Sequence, residues 1–245
     1  MRRLAPVTLV LCAGCASYDA PGGPAPLGAL AAGVAPALEL VQPAPGVPVR
    51  VSHVRIQAAD YESLTAQPVA AGRFSVAPDA IDREALQPLL QWPLVAEAEP
   101  LRAALLPTEL DSLDDLRLAA AKSLADVLLV YTVDTRFEAE GRSVEPLDDV
   151  PLGAEAGADA RIVSTASAVL VDVRTGYPYG TARGSARLVD IADAWSSASA
   201  LDRRRLDAER QALAALVADA ERLWDAVAGQ SGFSRTDDAS PTHAR

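Results

Sequence analysis

The amino-acid sequence predicts an α/β fold: a mixed sheet with one helix–strand crossover unit, a long carboxyl-side β-hairpin and a long closing amphipathic helix. Three stretches carry that prediction. Between Ser112 and Val133, apolar residues first recur at helical spacing, at Leu113, Leu116, Ala120 and Leu124. They then run almost unbroken from Val127 to Val133, the pattern of a helix feeding a strand buried on both faces. From Arg161 to Leu188, two β-rich runs flank Arg174-Thr175-Gly176, a turn in which glycine supplies the positive φ of a hairpin. From about Ala200 to Ala228, Leu206, Leu213, Leu216, Val217, Ala220, Leu223, Trp224 and Val227 recur at three and four, with Arg203, Arg204, Arg210, Glu221 and Asp225 on the other face.

The elements follow in chain order. Met1-Arg2-Arg3 and the apolar run Leu4 to Leu11 have the form of a secretory leader, assigned to residues 1–14. Between Tyr18 and Pro48 lie Pro21, Pro24, Pro26, Pro36, Pro43, Pro45 and Pro48 among glycines and alanines, so residues 15–46 are expected to form a tether, reaching on the order of 90 Å if fully extended. Ala37 to Val41 is apolar enough to dock on the body instead. A single α/β domain is expected over 47–228. It opens with a strand over Val47 to Gln57, where the apolar phase shifts from Val51 to Val54, as at a bulge. Arg73 to Ala77 reads as a second short strand, after which Asp79 is expected to cap a short helix bearing Ile81, Ala85 and Leu86, stopped near Pro88. Trp92 to Leu106, broken by Pro93 and Pro100, reads as an irregular connection with edge-strand character, and Pro100 to Leu106 as the strand that precedes the central helix. That helix starts at Ser112, with Asp115 in the reciprocal position of a capping box. Glu138 to Asp159 is an acid- and glycine-rich loop. The glycines and alanines of the second hairpin arm require a close overlay, assigned to the closing helix. Residues 229–245 lack periodicity and are expected to be disordered.

Composition narrows the function. Thirty-three acids against 22 bases give a net charge of −11, which repels phosphate and argues against nucleic-acid binding. No apolar run is long enough for a membrane-spanning helix. His53 and His243 are the only histidines, and the second lies in the tail, so no histidine pair is available for zinc or proton shuttling. No phosphate loop, nucleophile elbow or dinucleotide fingerprint follows a strand. Gly180 to Ser185 lies within a strand arm, and Glu145, Asp148 and Asp149 lack the regular spacing of a calcium loop. Arg203, Arg204 and Arg205, beside Asp207 and Glu209, read as a solvated, ion-paired face. The expectation is a non-enzymatic protein with no cofactor and no metal. The alternative is an enzyme or small-ligand carrier using Asp126 and Asp134, the carboxylates that flank the central strand and that could divide acid and base roles.

The leader ends in Leu11-Cys12-Ala13-Gly14-Cys15, which resembles the lipobox of bacterial lipoproteins. The resemblance implies cleavage after the small pair Ala13-Gly14 and acylation of Cys15, although Cys12 stands where that family prefers leucine. Each buried methylene would add about 0.8 kcal/mol, making such an anchor effectively permanent. Ala16 stands where an aspartate would retain the protein in the inner membrane, so the implied home is the outer membrane, facing the periplasm. The body is similar in element order to the curli-secretion lipoprotein, the amino-terminal domain of the Tol-Pal propeller protein and lipoproteins that activate cell-wall synthases. The residues that carry this likeness are Ala125-Asp126 at the strand entry and the Thr175-Gly176 turn. The implied role is an envelope protein that binds or assembles another envelope protein. The closing-helix stripe either packs within the chain or forms a homo-oligomer.

Overall fold

In the computed structural model, the apolar run after the central helix becomes the axis of a seven-stranded mixed sheet. The structure describes residues 17–32, 46–139, 141–152, 160–189 and 191–230. The first described elements are β1 (Ser17–Asp19), α1 (Leu27–Ala32), β2 (Val49–Gln57), β3 (Ala71–Gly72), β4 (Ser75–Val76) and α2 (Asp82–Ala85). Next come β5 (Val95–Pro100), β6 (Glu109–Leu110), α3 (Leu113–Lys122) and β7 (Val127–Ala139). The chain continues with β8 (Arg142–Val144), β9 (Asp149–Pro151), β10 (Arg161–Asp172), β11 (Pro178–Leu188) and α4 (Ala198–Gln230). The fold is α/β, as the sequence predicts.

The strand order is β11-β10-β7-β2-β4, with β5 also on β2 and β8 on β7. β5, β2 and β7 run parallel, and α3 makes the crossover from β5 to β7. β7, β10 and β11 are antiparallel. Side chains alternate faces along a strand. Val49 and Val51 of β2, Leu129 and Val133 of β7, and Ala166 and Leu170 of β10 pack under α4 in one core layer. Val54, Ile56, Leu128, Val130, Val169 and Val171 face the opposite layer, under α3 and α1. A third cluster, built on Tyr18, Phe137, Ile162 and Trp195, closes the end of the sheet where β7 finishes.

Local chemistry explains the well-marked elements. The Asp115 carboxylate accepts from the backbone N–H of Ser112 at 2.9 Å and completes the expected capping box. Gly176 takes a φ of 76° in the hairpin turn. A Cβ on Gly184 would lie 2.2 Å from the backbone nitrogen of Leu216, so α4 lies as close on the hairpin as its small residues anticipate. The stripe Leu213, Leu216, Val217, Ala220 and Trp224 is buried within the chain.

Other expectations are corrected. The strand before α3 is Val95–Pro100, and Ala103–Leu105 is a 3-10 turn. β7 continues past Val133 to Ala139, and β8 and β9 lie inside the stretch expected to be a loop. Asp79 does not cap α2: its own backbone N–H donates to the Asp82 carboxylate at 2.8 Å.

Residues 17–32 are not a free tether. β1 pairs antiparallel with β9, and Ala20, Ala25 and Leu30 are buried. The Ala25 N–H donates at 2.9 Å to Thr132 Oγ1, which donates in turn to Gln57 Oε1 at 2.8 Å. The leader with Ala13, Gly14 and Cys15, the stretch Ala37 to Val41, and residues 231–245 of the expected tail lie outside the described residues.

Candidate functional site

The largest concentration of buried charge lies where the start of α4 crosses β2. Following the apolar stripe of α4 back from Leu213 in steps of three and four leads to Glu209, Arg205 and Asp202, and all three are buried. Beneath them, on the α4-facing side of β2, Arg55 is buried in mid-strand. Arg55 donates to Glu209 Oε2 at 2.9 Å and to Asp82 Oδ1 at 3.3 Å. Arg205 donates to Glu209 Oε1 at 2.7 Å, Asp202 Oδ1 at 2.8 Å and Thr65 Oγ1 at 2.6 Å, and reaches Asp79 Oδ2 at 3.4 Å. The Tyr18 hydroxyl donates to Asp202 at 2.8 Å, and that of Thr135 to Glu209 at 3.1 Å. One cluster therefore joins β1, β2, β7, α4 and the segment from Thr65 to Asp82.

Two guanidiniums face four carboxylates, and at Asp82 and Glu209 burial and the neighbouring guanidiniums pull in opposite directions. It raises Asp82 above the ordinary carboxyl range, with Arg55 only partly opposing it. Burial would raise Glu209 too, but Arg55 and Arg205 outweigh it and hold this carboxyl below its ordinary value. Asp79 Oδ1 and Arg55 Nε have no hydrogen-bond partner among the described residues.

A cleft of about 260 Å³ opens beside the cluster, lined by Arg55, Asp79, Asp82, Tyr131 and His53, with apolar walls that include Val69, Val76 and Leu101. Burial lowers His53 to about 4, so near neutral pH the imidazole is uncharged and offers one donor and one acceptor. Tyr131 is kept as the phenol, by burial first and then by the Asp82 charge. Among the described residues no serine, threonine, cysteine or lysine lines the cleft, so its reactive groups are the carboxylates of Asp79 and Asp82, the His53 imidazole and the Tyr131 phenol. The arrangement can clamp elements together and admit a small polar group.

The sequence-derived carboxylates are placed apart. Asp126 Oδ2 accepts from the Arg50 N–H at 2.9 Å just before β7 begins. Asp134 pairs with Arg136 at 3.1 Å. They stand eight positions apart along the chain, roughly 26 Å, and neither reaches the cleft. His53 is a buried strand residue that lines the cleft. Glu145, Asp148 and Asp149 are exposed, and no group of acids, histidines or cysteines able to hold a metal occurs among the described residues. Arg203 and Arg204 are solvated as expected, but Arg205 and Glu209 are buried. The signal for those two was the continuation of the three-and-four spacing into charged positions.

No protein-family model matches the chain, and no curated protein matches it. Solved structures that share part of its shape include the dodecamer of a PelC point variant from Paraburkholderia phytofirmans, 15% identical, with a TM-score of 0.32, covering 70% of this chain and 94% of that one. They also include the hypothetical protein CT253 from Chlamydia trachomatis, 12% identical, with a TM-score of 0.36, covering 75% of this chain and 99% of that one.

Proposed function

We propose that this protein is a lipoprotein of the cell envelope, acylated at Cys15, that acts by binding another envelope protein and not by catalysis. The observation that carries this reading is the leader ending in Leu11-Cys12-Ala13-Gly14-Cys15. The missing aspartate after Cys15 supports the outer membrane, facing the periplasm, as its location. Leu118 on α3 and Leu124 just after it support a protein-binding role, being exposed at 59% and 68%. Leu124 also holds a φ of 60°, a conformation that costs a leucine more than a glycine. Leu124 takes this conformation as the residue that closes α3, its N–H donating to the Ala121 carbonyl and that of Ala125 to the Ala120 carbonyl. Fractionation of cells expressing the full chain or Cys15→Ala tests the anchor. The full chain is expected in the membrane fraction with the mass of its acyl groups, and the variant is expected to be soluble once its leader is removed. A processed variant that stays with the membrane would overturn the reading.

Self-association is a second reading, favoured by charge at the sheet's two open edges. Among the described residues β11 pairs only with β10, its Arg183 N–H held by Asp219 of α4, and carries exposed Arg183 and Arg187. Among the same residues β5 pairs only with β2 and carries exposed Glu99 and Glu97, the latter paired with Arg50. Unpaired edges template strand addition, and opposite charges on two different edges suit head-to-tail assembly. Sedimentation should show an assembly that weakens with salt and is lost in Arg183→Glu/Arg187→Glu.

A further inference from the structure

If Cys15 is acylated, the fold leaves almost no chain between the lipid and the body. Ser17 already belongs to β1, whose residues pair with Pro151, Val150 and Asp149, and Tyr18 is buried with its hydroxyl on Asp202. Two residues span at most about 7 Å. A bilayer of about 40–45 Å with a hydrocarbon core of about 30 Å has a headgroup layer on each side of a similar 5–8 Å. A body that begins two residues after the acylated cysteine therefore starts at the headgroups.

The surface at that point is suited to such a position. Ser17 to Ala20 line a groove of about 550 Å³ together with Leu64 and Leu147, which are exposed at 60% and 40%. Leu147 holds a φ of 66°, so a leucine is kept exposed in a conformation better suited to glycine. Tyr18 packs edge-on against Phe137, with ring centroids 5.5 Å apart, near the carboxyl end of β7. Leu124 lies before the opposite end of that strand, and Val127 to Phe137 alone span roughly 33 Å at about 3.3 Å per residue. The molecule thus has a lipid end and a far end.

We propose that the acylated body lies directly on the bilayer, with Leu64 and Leu147 in the headgroup layer and Leu118 and Leu124 turned away from it. This rests on acylation at Cys15. Asp19, Asp60 and Glu62 line the same groove, so the contact is apolar in origin and is weakened by anionic lipid.

The test uses the processed full chain in phosphatidylcholine vesicles. Cys12 leaves with the leader and acylation blocks Cys15, so Leu64→Cys, Leu147→Cys, Leu118→Cys and Leu124→Cys each supply one thiol for an environment-sensitive fluorophore. Lipid-borne nitroxide should cause a loss of emission at 64 and 147 and none at 118 or 124, with smaller losses in phosphatidylserine vesicles. Intact mass reports acylation separately. Acylated protein with no loss at 64 and 147, or equal loss at all four positions, overturns the placement while the anchor stands. Labels at 64 and 147 shielded from aqueous iodide yet untouched by nitroxide put a protein on the groove and overturn the placement too. Absence of the acyl mass removes the anchor, and the placement with it.

Discussion

Arg55 on a central strand donates at 2.9 Å to Glu209 on the closing helix, across 154 residues of sequence, and each side chain is only 1% exposed. Burying a charge is costly unless the partner stays in place, and removing one member of a buried pair typically costs about 3–5 kcal/mol. Arg55→Met should therefore destabilise the leaderless protein by about 3–5 kcal/mol in urea, because Asp82 is left without its cation. Adding Asp82→Asn should recover part of that loss. A double variant no more stable than Arg55→Met would show that the loss does not come from the stranded Asp82 carboxylate.

His53 gives the stability a predicted pH dependence. Its folded value is depressed to about 4 from an ordinary 6.5, by burial alone. Between those values the unfolded chain binds the proton and the folded one does not, so stability rises with pH across the window and is fully present above about 6.5. The shift corresponds to roughly 3 kcal/mol between pH 6.5 and 4. Asp82 works in the opposite sense: its raised folded value contributes stability at low pH that is lost as pH rises through that value. Urea midpoints measured from pH 4 to 7.5 for the natural protein and for His53→Leu separate the two. The variant should lose the rising slope between 4 and 6.5.

What the sequence discloses follows from how local each signal is. The α3–β7 unit, the Thr175-Gly176 turn and the stripe on α4 rest on spacing within one element, and each forms close to where its spacing places it. Leu124, expected on the helical stripe, nevertheless lies beyond α3 and is 68% exposed, and β7 runs past Val133 to Ala139. The docked stretch from Ser17 to Ala32 is hidden because proline, glycine and alanine have the composition of a linker whether or not their backbone is bonded to something. Here it is: Gly22 N–H donates to Glu62 at 3.0 Å and Ala58 N–H to Gly23 at 3.0 Å. A Cβ on Gly22 would stand 2.7 Å from the Tyr61 Cα, so a glycine that resembles flexible linker is a packing requirement. The buried cluster is hidden for another reason. Arg205 and Glu209 look solvated on a helical wheel until Arg55, the buried one of the two arginines in β2, supplies the charge opposing Glu209 from far away in sequence.

Gly184 sets the distance between α4 and the hairpin. Its missing Cβ would meet the backbone of Leu216, Ala212 and Ala215, at 2.2, 2.3 and 2.7 Å, and backbone cannot swing aside as a flexible side chain can. Gly184→Ala should cost about 1–3 kcal/mol, the usual range for overpacking. Gly229→Ala, near the end of α4 with nothing within 4 Å of the new Cβ, should leave the midpoint unchanged or raise it slightly. Thermal denaturation of the two variants tests the difference.

Trp224 tests whether the closing helix belongs to this chain's own core. It is fully buried, stacks on Trp92 with ring centroids 6.5 Å apart and meets Tyr179 edge-on at 5.9 Å. Its indole N–H donates to the Pro93 carbonyl at 2.8 Å. Trp224→Ala removes an aromatic surface, two ring contacts and the partner of that carbonyl, and should destabilise by about 3–5 kcal/mol. That is a large part of the 5–15 kcal/mol that typically holds a domain. Trp224→Phe keeps most of the surface and loses the hydrogen bond, so it should cost about 1–2 kcal/mol. A stripe that met only a second copy would behave differently: both variants would leave the denaturation midpoint in place and lower the sedimentation coefficient instead.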